Sequence, residues 1–448
     1  MSKSIGVITC ALAAALAVVT VTSCGKEERA TKKVVVVSPH NKDIRSEFEA
    51  AFTEYHQAEY GEPIAVEWLD VGGSSDILKY FRNVYGKADT AEVDVAFGGG
   101  APNFQKMAEE GILQPMKLPE GYTANCPATF GGIRMYDEDG DWAGAVVSGF
   151  GFLYNRKILE MMDLPEPRSW DDLGKAEYFG QVALADPAHS GSILAVYEMI
   201  VQSEDTWPAG WAKLMKVLSN ATKYYESSGR TADAVKTETA VAACIDFYGA
   251  MRVAQLPDQL VYVSPRGQTA FTPDPIGILK NPPHPELAQR FVDFVLSEEG
   301  QRLWALRAGT EGGPAEEALF RTPVRKDVFR KHGDKLLAGI TNPYGAGNEM
   351  DLDPEMHAYV QEPLKQLVVA AAVKNLDGLR AARERINGTT DADARAKLTA
   401  RFTELPPDAR TPAQLKQLSE KLRDDTQRER IVTDWERFFE DKYDAIAD

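Results

Sequence analysis

Lys33-Val-Val-Val-Val-Ser38 is the stretch of sequence that decides the fold class. Four consecutive β-branched residues after a polar leader indicate a buried strand. Apolar residues then recur at helical spacing through residues 43–60, at Ile44, Phe48, Phe52 and Tyr55. The pattern predicts a strand that leads directly into a helix.

The same alternation continues along the chain. Ile64-Ala-Val-Glu-Trp-Leu-Asp70 precedes a helical stretch at 76–85, and Val93-Asp-Val-Ala-Phe97 has the pattern of a third strand. A second set follows, with a strand at 181–186 and a helix at 193–202. Strands that alternate with helices predict an α/β fold, with a mainly parallel sheet covered by helices on both faces. The ligands of such sheets bind at the loops that follow the carboxyl ends of the strands.

The composition is that of a globular protein. The 448 residues are 44% hydrophobic and 26% charged, which argues against global disorder and against a multi-span membrane protein. Lys and Arg number 50 against 67 Asp and Glu, so the formal net charge is −17. This acidic balance, without any basic run, argues against a nucleic-acid-binding protein.

The first residues have the pattern of a secretion signal. Lys3 precedes an apolar stretch at 5–20, which is short for a membrane-spanning helix of about 20 residues. Val21-Thr-Ser-Cys24-Gly25 resembles a bacterial lipobox, which implies cleavage before Cys24 and lipid attachment to its thiol. We therefore predict a signal peptide at 1–23 and a lipid-anchored tether at 24–32, in a protein exported to the periplasm or the cell surface. An ordinary cleaved signal that leaves no anchor is the alternative.

Cys126 and Cys244 are the other cysteines of the mature chain. Two cysteines in an exported protein can form a disulfide. The sequence leaves a disulfide and two buried free thiols as alternatives.

Motifs of catalytic sites are missing from the sequence. It contains no HExxH, GxSxG, GxGxxG or P-loop motif and no paired CxxC. None of the six histidines pairs with another at the i, i+4 spacing that places two imidazoles on one helix face. We therefore expect the protein not to be an enzyme and to need no cofactor or metal ion.

Small hydroxyl residues and glycines recur where a strand meets a helix. Gly72-Gly73-Ser74-Ser75, Ser190-Gly191-Ser192 and Ser227-Ser228-Gly229 each precede a predicted helix. Such junctions expose free N–H donors and the positive end of the helix dipole, so they can hold a phosphate, a phosphonate or a carboxylate. Each can also be a plain N-cap, which stays the alternative for any single segment.

Three stretches of the chain share motifs with one protein family. They are Tyr154-Asn155 with Pro167-Arg-Ser-Trp170-Asp-Asp-Leu173, Gly180-Gln-Val-Ala-Leu-Ala-Asp186-Pro187 with Ser190-Gly191-Ser192, and the helix pattern from Pro285 to Gln301. Over residues 34–324 the chain resembles the bacterial extracellular solute-binding proteins of ABC importers, in the subgroup that includes the ferric-ion-binding proteins.

The resemblance implies a two-lobe clamp of the type 2 periplasmic-binding-protein class, which closes on one solute. Lobe one is then discontinuous, at 33–145 and 268–344, and lobe two lies at 146–267. The chain is expected to cross between the lobes near 145–151 and 260–268. The implied partners are a small-molecule solute and the transmembrane subunits of an ABC permease, and the binding protein is expected to be a monomer.

Residues 345–448 differ in character from the preceding chain. Glu, Arg, Lys, Asp and Ala dominate helical runs at 353–371, 379–386 and 418–439. These runs predict a C-terminal helical extension, which either packs on a lobe or stands as a small domain.

The iron-binding members of the family supply a test of the ligand. They place a His after the first strand, a Glu after the third, and a Tyr pair near the return to lobe one. His40 and Tyr248 match two of these positions, but Gly99 stands where the Glu is expected and Phe247 where the other Tyr is expected. A ferric ion prefers several anionic oxygen donors, so the match counts against iron. A ferric-ion-binding protein that uses His40 and Tyr248 is the alternative function.

We expect the solute to be a small organic anion, with phosphorylated and phosphonate-bearing compounds in this class. Helix N-termini would supply the donors. Asp246 suits an ammonium or hydroxyl group of the solute, because a second buried negative charge beside an anion is costly. The predicted site residues are Ser38, His40, Gly73, Ser74 and Gly99 from lobe one, and Ser190, Gly191, Ser192, Ser228, Asp246 and Tyr248 from lobe two.

Overall fold

The computed structural model describes residues 32–72, 74–345 and 350–448. The predicted signal peptide, the anchor Cys24 and Gly73 lie outside the described residues, as does the side chain of Ser74. The predicted tether also lies outside them except for Lys32, which is the first residue of a strand. No helix in the described ranges has both the length and the apolar character needed to cross a membrane.

The first two groups of elements follow one another in the chain. Residues 32–148 contain β1 (Lys32–Val37), α1 (Lys42–Tyr60), β2 (Ile64–Leu69), α2 (Ser74–Tyr85), β3 (Val95–Phe97), α3 (Ala101–Glu109), β4 (Leu113–Gln114), α4 (Tyr122–Asn125), β5 (Thr129–Phe130), β6 (Ile133–Arg134) and β7 (Ala143–Ser148). Residues 150–263 contain β8 (Phe150–Asn155), α5 (Arg156–Met161), α6 (Trp170–Leu173), β9 (Val182–Ala185), α7 (Gly191–Gln202), α8 (Trp207–Ser219), β10 (Ala221–Tyr225), α9 (Ser228–Ala234), β11 (Val241–Ile245), α10 (Asp246–Gln255) and β12 (Leu260–Val263).

Two further groups complete the chain. Residues 272–332 contain β13 (Thr272–Leu279), α11 (Pro285–Leu296), α12 (Glu298–Leu303), β14 (Thr322–Pro323) and α13 (Lys326–His332). Residues 354–447 contain α14 (Pro354–Val368), α15 (Leu376–Gly388), α16 (Ala392–Phe402), α17 (Pro412–Lys421) and α18 (Asp425–Ala447).

Lobe one is built on a sheet of strand order β14-β7-β13-β3-β1-β2, with β4 paired to β13. β1 is parallel to β2 and β3, whereas β13 is antiparallel to β3 and β7. Alternate valines of β1 face two different cores, one shared with α1 and the other with α2. Burial on both faces explains the unbroken run of valines and agrees with the predicted α/β fold.

Lobe two is built on a second sheet, of strand order β10-β9-β11-β8-β12. β10 and β11 are parallel to β9, and β8 is antiparallel to β11 and β12. α7 and α8 share a core with one face of this sheet, and α9 shares a core with the other face. Two separate sheets, each covered by helices, confirm the predicted two-lobe α/β architecture.

The chain crosses between the lobes at Gly149. β7 ends at Ser148 in the first sheet, and β8 begins at Phe150 in the second. A Cβ atom at Gly149 would lie 2.7 Å from Cε1 of Phe271, so a larger residue does not fit without a shift. Residues 146–148 pair with β13 of lobe one, although the sequence prediction assigns them to lobe two. The apolar run through this crossing carries no local sign of where the pairing partner changes.

The C-terminal extension, α14 to α18, packs on lobe two. The rings of Trp211 in α8 and Phe439 in α18 lie 6.1 Å apart between centroids. The buried apolar residues of the extension and of lobe two form one continuous core. The single helix predicted at 418–439 is instead two helices, because Asp424 starts α18 by accepting a hydrogen bond from the Gln427 N–H at 2.8 Å.

Cys126 and Cys244 are both buried free thiols. Cys126 lies in the core of lobe one, and Cys244 lies in β11 of lobe two. Of the two alternatives that the sequence leaves open, the structure therefore has the free thiols.

Candidate functional site

The predicted site residues that the structure describes lie along one edge of each sheet. β1 and β3 are parallel, so the loops that follow Val37 and Phe97 leave lobe one on the same edge. β13 is antiparallel to β3 and brings Asp274 to this edge. In lobe two, the parallel strands β9, β10 and β11 place residues 190–192, 227–229 and 246–248 on one edge. Gly149 connects the two edges, so both edges lie at the junction between the lobes.

His40 is directed into lobe one. The Ser38 Oγ accepts a hydrogen bond from the backbone N–H of His40 at 3.1 Å. His40 Nε2 lies 3.2 Å from Asp274 Oδ2, and the ring packs 4.7 Å from the ring of Phe97 between centroids. Burial lowers the pKa of His40 below its usual 6.5 and outweighs the hydrogen bond with Asp274, which acts to raise it. The imidazole is therefore neutral at pH 7 and donates from Nε2.

Asp274 accepts hydrogen bonds from the loop directly before α3. The N–H groups of Gly99 and Gly100 donate to Asp274 Oδ1 at 2.7 and 3.0 Å. Gly100 is the N-cap of α3 and Gly99 precedes it, so both N–H groups lie just before the first turn of the helix. The sequence predicts that Gly99 contacts the solute, but its N–H is used by the protein's own carboxylate.

Arg321 completes the cluster around Asp274, and sequence reasoning misses it. Its Nη2 donates to Asp274 Oδ2 at 3.2 Å and to the Ser148 Oγ at 3.1 Å. Burial acts to raise the pKa of Asp274, but the hydrogen bond with His40 and the charge of Arg321 outweigh it and hold this pKa well below 3.8. Arg321 lies between α12 and β14, where no motif marks it.

Ser190, Gly191 and Ser192 begin α7 at the lobe-two edge. Ser190 is the N-cap, and its Oγ accepts a hydrogen bond from the Ile193 N–H at 3.4 Å. Gly191 is exposed and Ser192 is partly exposed. Their N–H groups belong to the first turn of a 12-residue helix, which cannot satisfy them itself and has its positive dipole end here. Both groups are placed to donate to an anion.

The start of α9 corrects one predicted residue. Ser227 is the N-cap, and its Oγ accepts a hydrogen bond from the Arg230 N–H at 3.3 Å. Ser228 is buried, and its Oγ accepts a hydrogen bond from the Ile245 N–H at 2.9 Å. The Ser228 hydroxyl therefore binds β11 and does not face the cleft.

Asp246 and Tyr248 belong to the first turn of α10. Asp246 Oδ2 accepts hydrogen bonds from the Gly149 N–H at 2.8 Å and from the Thr322 Oγ1 at 3.4 Å. Burial raises the pKa of Asp246 to about 6, against the hydrogen bond from Gly149, which lowers it. The Tyr248 ring packs 4.1 Å from the ring of Phe247 between centroids. Asp246 thus joins α10 to the chain crossing.

The histidine, cysteine and carboxylate side chains of the described residues were compared with the arrangement that a metal ion requires. Among the residues that the structure describes, no group of three or more His, Cys, Asp or Glu side chains is placed to hold a metal ion. His40 and Tyr248, the two positions that match iron-binding proteins, contact Asp274 and Phe247 respectively.

The chain matches the sequence model of a known protein family. The model described as bacterial extracellular solute-binding protein matches residues 90–328, more than half of the chain. The chain belongs to this family. Membership confirms the resemblance drawn from the sequence and places the chain among solute-binding proteins rather than enzymes. An extracellular family also agrees with the expected export of the chain.

One curated relative of this solute-binding protein is the phosphoglycerate transport regulatory protein PgtC of Salmonella typhimurium. It is 33% identical over 160 residues, which are 36% of this chain and 39% of the relative. The match thus spans about two fifths of the relative's length.

Two solved structures share the fold of this solute-binding protein. The periplasmic binding protein AfuA of Actinobacillus pleuropneumoniae, with fructose 6-phosphate bound, has a TM-score of 0.57 and 19% identity over 78% of this chain and 96% of AfuA. Iron-bound HitA of Pseudomonas aeruginosa has a TM-score of 0.56 and 18% identity over 75% of this chain and 98% of HitA. At these identities the likeness confirms the periplasmic-binding-protein fold alone.

Proposed function

We propose that this solute-binding protein captures a small anionic organic solute, phosphorylated or phosphonate-bearing, in the cleft between its lobes. It then delivers the solute to the transmembrane subunits of an ABC permease. The observation that carries the proposal is the start of α7, where Gly191 and Ser192 present unsatisfied N–H groups at the cleft edge of lobe two.

The contacts in lobe one favour lobe two as the part of the protein that binds the anionic group of the solute. The N–H groups of Gly99 and Gly100, directly before α3, are already bound to Asp274. Arg321, the buried cation of this edge, is paired with the same carboxylate. The charges of Arg321 and Asp274 offset each other, so this cluster presents no net positive charge to an incoming anion, although Arg321 Nε has no hydrogen-bond partner. We therefore place the anionic group at the N–H donors of α7.

The relatives agree with an anion but leave the choice of anion open. The name of PgtC refers to phosphoglycerate, and AfuA has been solved with fructose 6-phosphate. HitA binds iron, which keeps ferric ion as the alternative to be tested. The lack of a three-ligand cluster in the described ranges supports the anion over iron.

Isothermal titration calorimetry tests the proposal. The probes are 3-phosphoglycerate, fructose 6-phosphate and an aminoalkylphosphonate, with fructose and ferric citrate as comparisons. We expect at least one phosphorylated or phosphonate probe to bind, and fructose to bind far more weakly. Binding of ferric citrate alone, with a visible tyrosinate-to-iron absorption band, would favour the alternative.

Ser192→Leu is the matched variant for this titration. It removes a hydroxyl at the start of α7 and blocks access to the N–H groups there, so affinity should fall about ten-fold or more, or about 1.4 kcal/mol. The melting temperature without solute should barely change, because Ser192 is partly exposed and supports little packing. Unchanged affinity in this variant would move the site away from α7.

We also propose that Cys24 carries a lipid that holds the protein at a membrane. Cys24→Ser should release the protein from the membrane fraction, because no second lipidation pattern is present in the sequence. If the substituted protein still sediments with membranes after a salt wash, attachment has another cause.

A further inference from the structure

Arg321 stands at the contact between the lobes. It belongs to lobe one, directly before β14, and only 4% of its surface is exposed. The preceding residue, Phe320, has a φ of 52°, a left-handed conformation that aromatic residues rarely adopt. The turn that directs Arg321 inward therefore has a strained backbone at Phe320. Backbone strain of this kind is concentrated at functional sites.

Lobe one fixes the guanidinium from two sides. Nη2 of Arg321 donates to the Ser148 Oγ at the end of β7 and to Asp274 Oδ2 in β13. Asp274 is itself held by His40 and by the N–H groups of Gly99 and Gly100. The ends of β1, β3, β7 and β13 thus share in positioning one side chain.

The same guanidinium touches lobe two. Its Cζ lies 4.7 Å from the centre of the Phe247 ring, at the start of α10. The next residue, Thr322, donates from Oγ1 to Asp246 Oδ2. Two consecutive residues of lobe one therefore contact two consecutive residues of lobe two.

This contact lies beside the chain crossing. Asp246 Oδ2 also accepts the N–H of Gly149, and Ser148 is the residue before that glycine. A rotation of the lobes about this crossing would turn the Phe247 ring relative to the guanidinium, so the strength of the contact would depend on the angle between the lobes.

We infer that Arg321 is a positioning residue that acts as the pivot of the clamp, setting through Phe247 the angle at which lobe two rests on lobe one. The inference takes lobe closure from the proposed function but does not depend on which solute is bound. Because a solute can only shift an existing balance between open and closed forms, the pivot sets how much binding free energy closure requires.

The test is the distribution of distances between the lobes without solute. Spin labels are placed through Lys87→Cys and Lys157→Cys, on exposed residues of lobe one and lobe two, in the full chain with Cys10→Ser and Cys24→Ser. The two native thiols that remain in the mature chain are buried, so the labels react selectively. Pulsed electron resonance then reports the populations of open and closed forms.

Arg321→Lys keeps the charge beside Asp274 but loses the planar group that stacks on Phe247. Phe247→Leu removes the same contact from lobe two. Each variant should change the ratio of open to closed forms by about ten-fold, or about 1.4 kcal/mol, which lies between the sizes of an exposed and a desolvated cation–π contact. The double variant should change it no further, because both substitutions remove one interaction.

Arg325→Lys is the matched control. Arg325 is also buried and paired with a carboxylate, that of Asp327, but both residues lie within lobe one. Its variant should lose stability without a change in the distance distribution. A distribution that stays unchanged in Phe247→Leu and Arg321→Lys, or that changes equally in Arg325→Lys, would overturn the pivot. Since no solute is present, this result is independent of whether the proposed anion binds.

Discussion

Two buried carboxylates at the junction between the lobes have pKa values that are shifted in opposite directions. The pKa of Asp274 is held well below 3.8, because its hydrogen bonds and the charge of Arg321 outweigh its burial. The pKa of Asp246 is raised to about 6 by burial, since fewer donors offset it. Asp274 is therefore a permanent structural anion, whereas Asp246 gains a proton within the accessible pH range.

Asp274→Ala should be strongly destabilising. It leaves the buried guanidinium of Arg321 without its carboxylate and the N–H groups of Gly99 and Gly100 without an acceptor. Removal of one partner of a buried ion pair costs about 3–5 kcal/mol, which urea unfolding of the full chain can measure. Asp274→Asn, which keeps one acceptor oxygen, should lose less. A loss below about 1 kcal/mol for the alanine variant would contradict the role given to this cluster.

Asp246 should make solute affinity depend on pH. Below about pH 6 this carboxyl becomes neutral and no longer repels an anionic group, so the affinity for a phosphorylated solute without an ammonium group should rise as the pH falls through this value. The affinity of Asp246→Asn, measured by the same calorimetry, should lack this component, and the comparison removes the titration of the solute itself. Parallel pH profiles for the two proteins would show that the anionic group binds far from Asp246.

At the scale of single elements, local patterns predict much of the fold. The apolar spacing at 43–60 corresponds to α1, and the valine run corresponds to β1, because both signals depend on neighbouring residues. The start of α10 at Asp246 has no side-chain N-cap and hence no local signal.

The candidate site is less predictable because its contacts join distant parts of the chain. Asp274 binds Gly99 across 175 positions, so no spacing rule connects them. Ser227 and Ser228 are neighbours of one type, yet one caps a helix and the other is buried against β11. Side-chain direction at such a junction is set by tertiary packing, which a sequence pattern does not contain.

α7 connects the candidate site to the C-terminal extension. Glu198, which is 1% exposed in the middle of α7, accepts hydrogen bonds from His357 Nδ1 at 2.8 Å and Gln361 Nε2 at 3.1 Å, both from α14. Burial acts to lower the pKa of His357, but the hydrogen bond and charge of Glu198 outweigh it and raise this pKa above 6.5.

The His357–Glu198 pair should therefore stabilise the protein most at low pH. For a raised histidine pKa, the contribution is fully present below 6.5, the unfolded value, and is lost as the pH rises through the folded value. His357→Gln should cost about 1 kcal/mol near pH 5.5 and much less near pH 8.5, as measured by urea unfolding. Gln361→Ala, which alters the same carboxylate without a titrating group, should cost the same at both pH values. A pH-independent loss in His357→Gln would contradict the charged pair.

At the scale of the whole molecule, the protein consists of lobe one and of lobe two joined to the extension. The extension shares one core with α7 and α8, so a rotation of lobe two carries α14 to α18 with it. Gly149 and the segment before β13 are the two places where the chain passes between the sheets. In the proposed closure, lobe two and the extension would rotate together against lobe one.

Small-angle X-ray scattering of the full chain tests this account most directly. The radius of gyration is measured with and without a saturating phosphorylated or phosphonate solute from the calorimetric panel, for the parent protein and for Ser192→Leu. The account predicts that the parent becomes more compact with this solute, and that Ser192→Leu does not at the same concentration. Compaction on ferric citrate alone, or equal compaction of both proteins, would contradict a clamp that closes on an anion held at the start of α7.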